Sequence, residues 1–328
     1  MSASKKSRII AAAAALLLGT ASVHAAQAKY QDATMSFTVD YTDSIVPGDA
    51  VFVRLSFLSQ KPHRKNRNEQ DRHAWLRLMK DKKRIDQAVF YQCGKNSRRQ
   101  DFLCGIPLST WLDDGQYTLS VTISLSREET KEFSIAVPFR PREFGSERLP
   151  LDSRNSQIKT DNSPERAAQI QKLNDILFTS VPADVYASTP FALPVDSDRY
   201  TARFGDRRIY EYTNGKSSTG VHFGNDYGVP EGTPVKAAAG GRVVMAEERI
   251  STGFSVVIEH LPGLYSLYYH LSSMNVKEGD TVRQGELIGK SGSTGLATGP
   301  HLHWEMRLNG CAVRPEFFTG NFAFAQNE

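Results

Sequence analysis

Cysteine is scarce in this sequence: three occur in 328 residues, and no two stand in a C-x-x-C pair. That scarcity argues against a cysteine-held metal, and nothing marks a catalytic cysteine. Long apolar runs are also missing. The longest, residues 9–18, has ten residues, about half of what a spanning helix needs, and no later run is long enough to cross a bilayer. Charge of one sign is not in large excess, with 40 Lys plus Arg against 36 Asp plus Glu and a net charge of +4. Nucleic-acid binding is therefore not expected from overall charge. No repeat of solenoid type is present. What remains, 40% hydrophobic and 23% charged residues, excludes a disordered, collagen-like or coiled-coil chain, and the length argues for about two domains.

The N-terminus has the layout of a secretory signal. Lys5, Lys6 and Arg8 precede the apolar run, and small residues follow at Val23-His24-Ala25 and Ala26-Gln27-Ala28. A signal over residues 1–28, cut after Ala28, is expected. It implies an exported protein, periplasmic or outside the cell at the wall, with no membrane span after removal and no lipid-modified cysteine near the cut. In an exported chain, Cys93 and Cys104 are expected to form a disulfide, stabilising by up to about 3 kcal/mol in the chain-entropy model, with Cys311 left over.

Residues 29–145 read as an immunoglobulin-like β-sandwich. Alternating or apolar runs at residues 35–39, 51–55, 117–121 and 133–137 are separated by turn signals such as Pro47-Gly48-Asp49 and Asp113-Asp114-Gly115. Within it, residues 61–99 hold 13 Lys or Arg against four acidic residues. A solvated face is the simpler account; attachment to an anionic polymer is the sharper one. Residues 146–182 form a linker and a short helix. The polar stretch 146–162 reads as the linker, and Ser163 reads as an N-cap with Pro164 at the first helical position. Ala167, Ile170, Leu173 and Leu177 then recur at helical spacing. Residues 183–328, rich in glycine and short apolar runs, read as a compact antiparallel β domain, so the fold class is mainly all-β.

Five of the eight histidines lie between positions 222 and 303. His222 and Asp226 are four apart; Gly224, Gly228 and Pro230 disfavour a helix there, but an extended strand also puts i and i+4 on one face. His301 and His303, two apart, share one face of a strand, with Leu302 and Trp304 on the other. His270 follows Tyr268-Tyr269. Two imidazoles and one carboxylate suit a borderline cation such as zinc, whose catalytic sites keep one position open to water, and further histidines are then available for proton transfer. The chemistry indicated is metal-assisted hydrolysis, most naturally of an amide.

The ordered set His222-x-x-x-Asp226, Tyr269-His270-Leu271-Ser272 and Gly295-x-x-Thr298-Gly299-Pro300-His301-Leu302-His303 resembles the lysostaphin/LytM-type zinc endopeptidases, which cut peptide bridges of peptidoglycan. Phe204-Gly205-Asp206-Arg207-Arg208 and Gly232-Thr233-Pro234-Val235-Lys236-Ala237 extend the similarity over residues 194–318. The resemblance implies one zinc ion held by His222, Asp226 and His303, with His270 and His301 as the catalytic pair and peptidoglycan as substrate. All five positions are filled, unlike in the family's inactive members, which serve as activators of other wall hydrolases. At Thr252-Gly253-Phe254 the sequence departs from the family, which often carries asparagine after the glycine.

Two other readings fit the sequence. A non-catalytic wall-binding or hydrolase-activating protein would keep the fold without the chemistry. The run from Val276 to Gly289 resembles the repeated element of biotinyl and lipoyl carrier domains, but the displayed lysine of a carrier is absent, so the similarity implies a shared barrel-like sandwich. His260 is expected to end a strand, and His63 and His73 to lie on the surface. Tyr268, Tyr269 and Trp304 are expected in the core, with the groove as the alternative. Gly285, Gly289 and Gly292 are expected in turns that need positive φ. The segment 152–177, placed directly before the catalytic domain, is a candidate for folding over the groove.

Overall fold

The computed structural model describes residues 6–9, 25–31, 36–58, 73–95, 99–124, 130–187 and 190–319. The chain divides into two compact units, residues 1–142 and 143–328, and both are built mainly of antiparallel strands. No helix among the described residues is long and apolar enough to cross a membrane.

The first unit is a sandwich of two five-stranded sheets. In one, Lys6–Ile9, Thr130–Val137, Tyr117–Ser124, His73–Lys80 and Lys83–Val89 lie side by side; in the other, Ala25–Gln31, Ser36–Thr42, Ala50–Leu58, Arg99–Pro107 and Tyr91–Lys95. Alternation drives the packing. Phe37, Val39 and Tyr41 point inward from one strand and meet Leu76, Leu119, Val121 and Ile135 from the facing sheet. Each large side chain so buried contributes about 1.5–3 kcal/mol. The expected cut after Ala28 falls inside the strand Ala25–Gln31. His73 is exposed at the head of its strand, the edge strand Lys83–Val89 is largely solvated, and His63 lies outside the described residues.

The expected disulfide is not formed: Cys93 and Cys104 are both thiols. They stand on paired strands but out of step. Tyr91 lies opposite Leu103, and Cys93 falls in a bulge between Gln92 and Gly94, which face Phe102 and Asp101. At about 3.3 Å per residue along the strand and about 4.8 Å across it, that offset exceeds the roughly 7 Å that a disulfide can span. Cys104 is buried in the core instead.

The second unit begins where a linker was expected. Ser146–Pro150 is a strand running parallel to Arg207–Glu211, and Ser153–Thr160 is a helix whose N-cap, Asp152, accepts from Asn155 N at 2.7 Å. The polar residues of this stretch are caps and helix faces rather than spacer. The second helix, Pro164–Leu177, starts as expected at Ser163, which accepts from Arg166 N. Its packing stripe is shifted: Leu173, Ile176 and Leu177 meet Met245 and Val257, while Ile170 is exposed. Only the last turns reach apolar sheet; earlier, Gln169 makes polar contacts to Arg249 and Ile250.

The main sheet places Tyr200–Ala202, Gly224–Tyr227, Leu302–Leu308, Leu264–Met274, Gly253–Leu261, Gly241–Arg249 and Thr281–Val282 in that order. Leu287–Ser291 pairs with both Leu264–Met274 and Pro234–Lys236, which turns the sheet over on itself. Of the three glycines expected in left-handed turns, Gly285 has φ of 80°. Gly289 and Gly292 serve close approach instead, since a Cβ would stand 2.5 Å from Ser273 O or 2.7 Å from Ser272 N.

Candidate metal centre

The site is built on Leu302–Leu308 and its neighbours. Register sets Asp226 opposite His303 on one side and Tyr269 opposite His303 on the other. Directly opposed residues point to the same face, so one row across three strands faces the site. Leu302, Trp304, Met306 and Leu308 occupy the other face and are all buried, as are Tyr268 and Tyr269. His222 enters from the segment just before Gly224–Tyr227.

His270 reaches the same place by breaking the alternation. Following Tyr269 on a regular strand, it would point away from the site. Its φ is 60°, a left-handed conformation uncommon outside glycine, and a bulge between the pairs Phe254↔Leu271 and Val256↔Tyr268 accommodates it. The His270 amide donates to Thr252 O at 2.8 Å. Its ring stands 4.8 Å from that of His301 and 6.0 Å from that of His303, centroid to centroid.

All five residues singled out from the sequence therefore meet. Ligand atoms of His222, Asp226 and His303 lie within 4.8 Å of one another, all three buried. His222 Nε2 and His303 Nδ1 are 3.1 and 2.7 Å from Asp226 Oδ1 and 3.0 Å from each other; His301 Nε2 is 3.7 Å from the same oxygen. The opposite nitrogen of each ring donates outward. His222 Nδ1–H donates to Arg203 O at 2.9 Å, and His270 Nδ1–H donates to Thr294 O at 2.8 Å. His301 Nδ1–H donates to Gly299 O at 2.8 Å, and His303 Nε2–H donates to Glu305 Oε1 at 2.9 Å. In the neutral rings, the remaining lone pairs are left for the site, the arrangement that metal-binding histidines adopt.

Burial and mutual charge set the electrostatics. Burial opposes ionisation of Asp226, yet the adjacent His222 and His303 rings hold its carboxyl well below the usual range. Burial, helped by His301 and His303, pushes His270 down to about 3, and burial also lowers His301. Both are neutral at neutral pH. His303 goes the other way: burial disfavours its charge, but Asp226 and Glu305 outweigh it and raise the pKa to about 9. A small cavity of about 220 Å³ opens on Asp226, His270, His301 and His303, walled by Glu147, Arg208 and residues 296–300.

Some contributors were not singled out from the sequence. Arg208 Nη2 donates to Asp226 Oδ2 at 3.0 Å, and Arg208 also pairs with Glu147. Glu305 and Arg307 continue the i+2 rhythm of His301 and His303, a signal that the strand pattern carried. The carbonyls of Arg203, Thr294 and Gly299 left no trace in side-chain chemistry. His260 is buried within its strand and stands outside the cluster.

Residues 220–315 match the model of peptidase family M23. Over 95 residues the chain is 48% identical to the DD-carboxypeptidase/endopeptidase Mpg of Neisseria meningitidis, covering 29% of this chain and 22% of that one. Over 121 residues it is 42% identical to the peptidoglycan DD-endopeptidase ShyA of Vibrio cholerae, covering 37% and 27%. The matched segment thus spans about a quarter of these relatives. A crystal structure of an M23 peptidase from Pseudomonas aeruginosa superposes with a TM-score of 0.50 at 21% identity, over 84% of this chain and 94% of the other; at that identity the likeness concerns the fold.

Proposed function

Starting from the peptidase family M23 domain that residues 220–315 form, we propose that this chain is an exported zinc endopeptidase that hydrolyses peptide cross-links of bacterial peptidoglycan. The observation that carries the reading is the orientation of the histidines: His222, His301 and His303, each anchored outward through one nitrogen, turn the other toward a shared buried carboxylate, Asp226, and the outward-anchored His270 ring lies beside them. A core cluster has no need of that arrangement.

The donors fit the proposed ion. His222 Nε2, Asp226 and His303 Nδ1 supply two nitrogens and one oxygen, a set suited to zinc. When bound, zinc supplies Lewis-acid chemistry, polarising a peptide carbonyl and acidifying water. The chain's own residues do the rest. His270 and His301, kept neutral by burial, can each accept a proton at Nε2 and return it to the departing amine. Arg208 orients Asp226 through the oxygen not shared with the imidazoles.

The test is digestion of purified peptidoglycan by residues 29–328, with and without a metal chelator, with products read by mass spectrometry. New peptide ends that vanish with chelator are expected, and their identity gives the bond. No cleavage by protein carrying stoichiometric zinc would overturn the reading in favour of a non-catalytic wall-binding role.

A further inference from the structure

Three of the four site histidines are anchored by main-chain carbonyls, which no substitution removes; His303 is anchored by a side chain. Glu305 shares a strand face with His303 and Arg307 and is 5% exposed. One carboxylate oxygen accepts from His303 Nε2–H at 2.9 Å, and the other accepts from Arg307 Nε at 2.7 Å and Nη2 at 2.6 Å. This two-pronged grip fixes the plane of the carboxylate as well as its position. The Tyr269 ring lies parallel to the His303 ring, within 6° at a centroid distance of 5.5 Å, and limits its tilt. On the neighbouring strand, Gly224 faces Glu305 in register. A Cβ there would stand 2.8 Å from Glu305 Cγ and 2.9 Å from His303 Nε2, so the pair rests directly on backbone.

We infer that Glu305, clamped by Arg307, is a positioning residue that holds the His303 ring with Nδ1 presented to the metal. The inference rests on the metal-site reading above. Without an acceptor at Nε2, the ring is free to turn or to exchange tautomers, and either change sets an N–H where a lone pair is needed. Arg307 acts by orienting Glu305.

The test compares zinc affinity, by chelator competition, in the wild type, Glu305→Gln and Glu305→Ala, alongside melting of the metal-free proteins. Loss of the acceptor in Glu305→Ala is expected to weaken zinc binding about 100-fold, near the upper end for such outer partners. Glu305→Gln keeps the shape but can satisfy either His303 or Arg307 with its oxygen, not both, and an approximately tenfold loss is expected. Histidine ring ¹⁵N spectra of the zinc-loaded forms should show the Nε2–H tautomer of His303 fixed in the wild type and exchanging in Glu305→Ala. If Glu305→Ala does not fold, Glu305→Gln decides. Wild-type zinc affinity in Glu305→Gln, with only the melting temperature lowered, would reduce Glu305 to a structural role and overturn the inference alone. A wild type that takes up no zinc overturns the metal-site reading with it.

Discussion

His260 and His303 are both buried histidines on strands of the same sheet, and they differ in what happens to the second ring nitrogen. In His260, Nδ1–H donates to Gly240 O at 2.8 Å while Nε2 lies 2.7 Å from Ser266 Oγ. Both nitrogens are satisfied by groups from the core, and the ring is a closed part of it. In His303 one nitrogen is satisfied by Glu305, and the other is turned toward Asp226 and a second imidazole. Burial alone therefore does not mark a functional histidine. What marks His303 is the kind of partner its second nitrogen meets, a buried carboxylate and another imidazole that together form a metal-ligand set, whereas the second nitrogen of His260 meets a serine hydroxyl.

The largest effect tests the open ring. Replacing His303 with Ala removes one of three proposed ligands, and both bound zinc and cleavage are expected to vanish. Zinc analysis of the purified variant decides, since stoichiometric metal in it would remove His303 from the ligand set. His301→Ala sharpens the same side of the comparison. Zinc should remain while kcat falls by about 10²–10⁴, the usual worth of a proton-transfer group; a fully active variant would end its proposed catalytic role.

The closed ring predicts a smaller effect of another kind. Burial pushes the pKa of His260 down to about 4, against about 6.5 for an unfolded histidine. Between those values the unfolded chain binds the extra proton and the folded chain does not, so stability is complete above about pH 6.5 and falls as the pH drops toward 4. The difference corresponds to about 3 kcal/mol from this group. In His260→Gln the pH dependence of unfolding, measured by denaturant titration across that window, should lose one proton's worth of slope. Peptidase activity at neutral pH should be retained. An unchanged slope would show that His260 is not held neutral in the fold.

The strand period made much of the site legible. His301 and His303 on one face, with Leu302 and Trp304 in the core, follow from alternation, and the same rule extended two steps further reaches Glu305 and Arg307. Convergence of His222 with Asp226 was foreseen for an extended chain, although His222 lies just before the strand. What the sequence could not carry is the anchoring by carbonyls of Arg203, Thr294 and Gly299, since main-chain groups bear no residue signature. Nor does residue type announce that His270 takes φ of 60°. The polar stretch 146–162 read as a linker because caps and loops use the same residues, Asp152 among them. The pairing of Cys93 with Cys104 rested on proximity in sequence, which carries no information about the bulge that sets them out of step.

Ser266→Ala is expected to have the smallest effect, and it bears on whether a histidine can be opened without becoming a site. Ser266 is fully buried, touches His260 Nε2, and shares a 2.9 Å hydrogen bond with the Tyr268 hydroxyl. With Nδ1–H committed to Gly240 O, Nε2 of the neutral ring has the serine hydroxyl as its polar neighbour. Removing that hydroxyl leaves a lone pair buried without a partner, which costs about 1–3 kcal/mol, seen as a lower midpoint in urea with an unchanged slope. Tyr268 also loses its bond to Ser266 but keeps one partner, since its oxygen still accepts from Ala238 N at 2.8 Å. Among the described residues the opened nitrogen faces no carboxylate and no second imidazole, so zinc stoichiometry should stay at the wild-type value. A second zinc equivalent in Ser266→Ala would mean that an open ring nitrogen is enough to recruit metal, and that the row formed by Asp226, His303 and His222 matters less than its geometry implies.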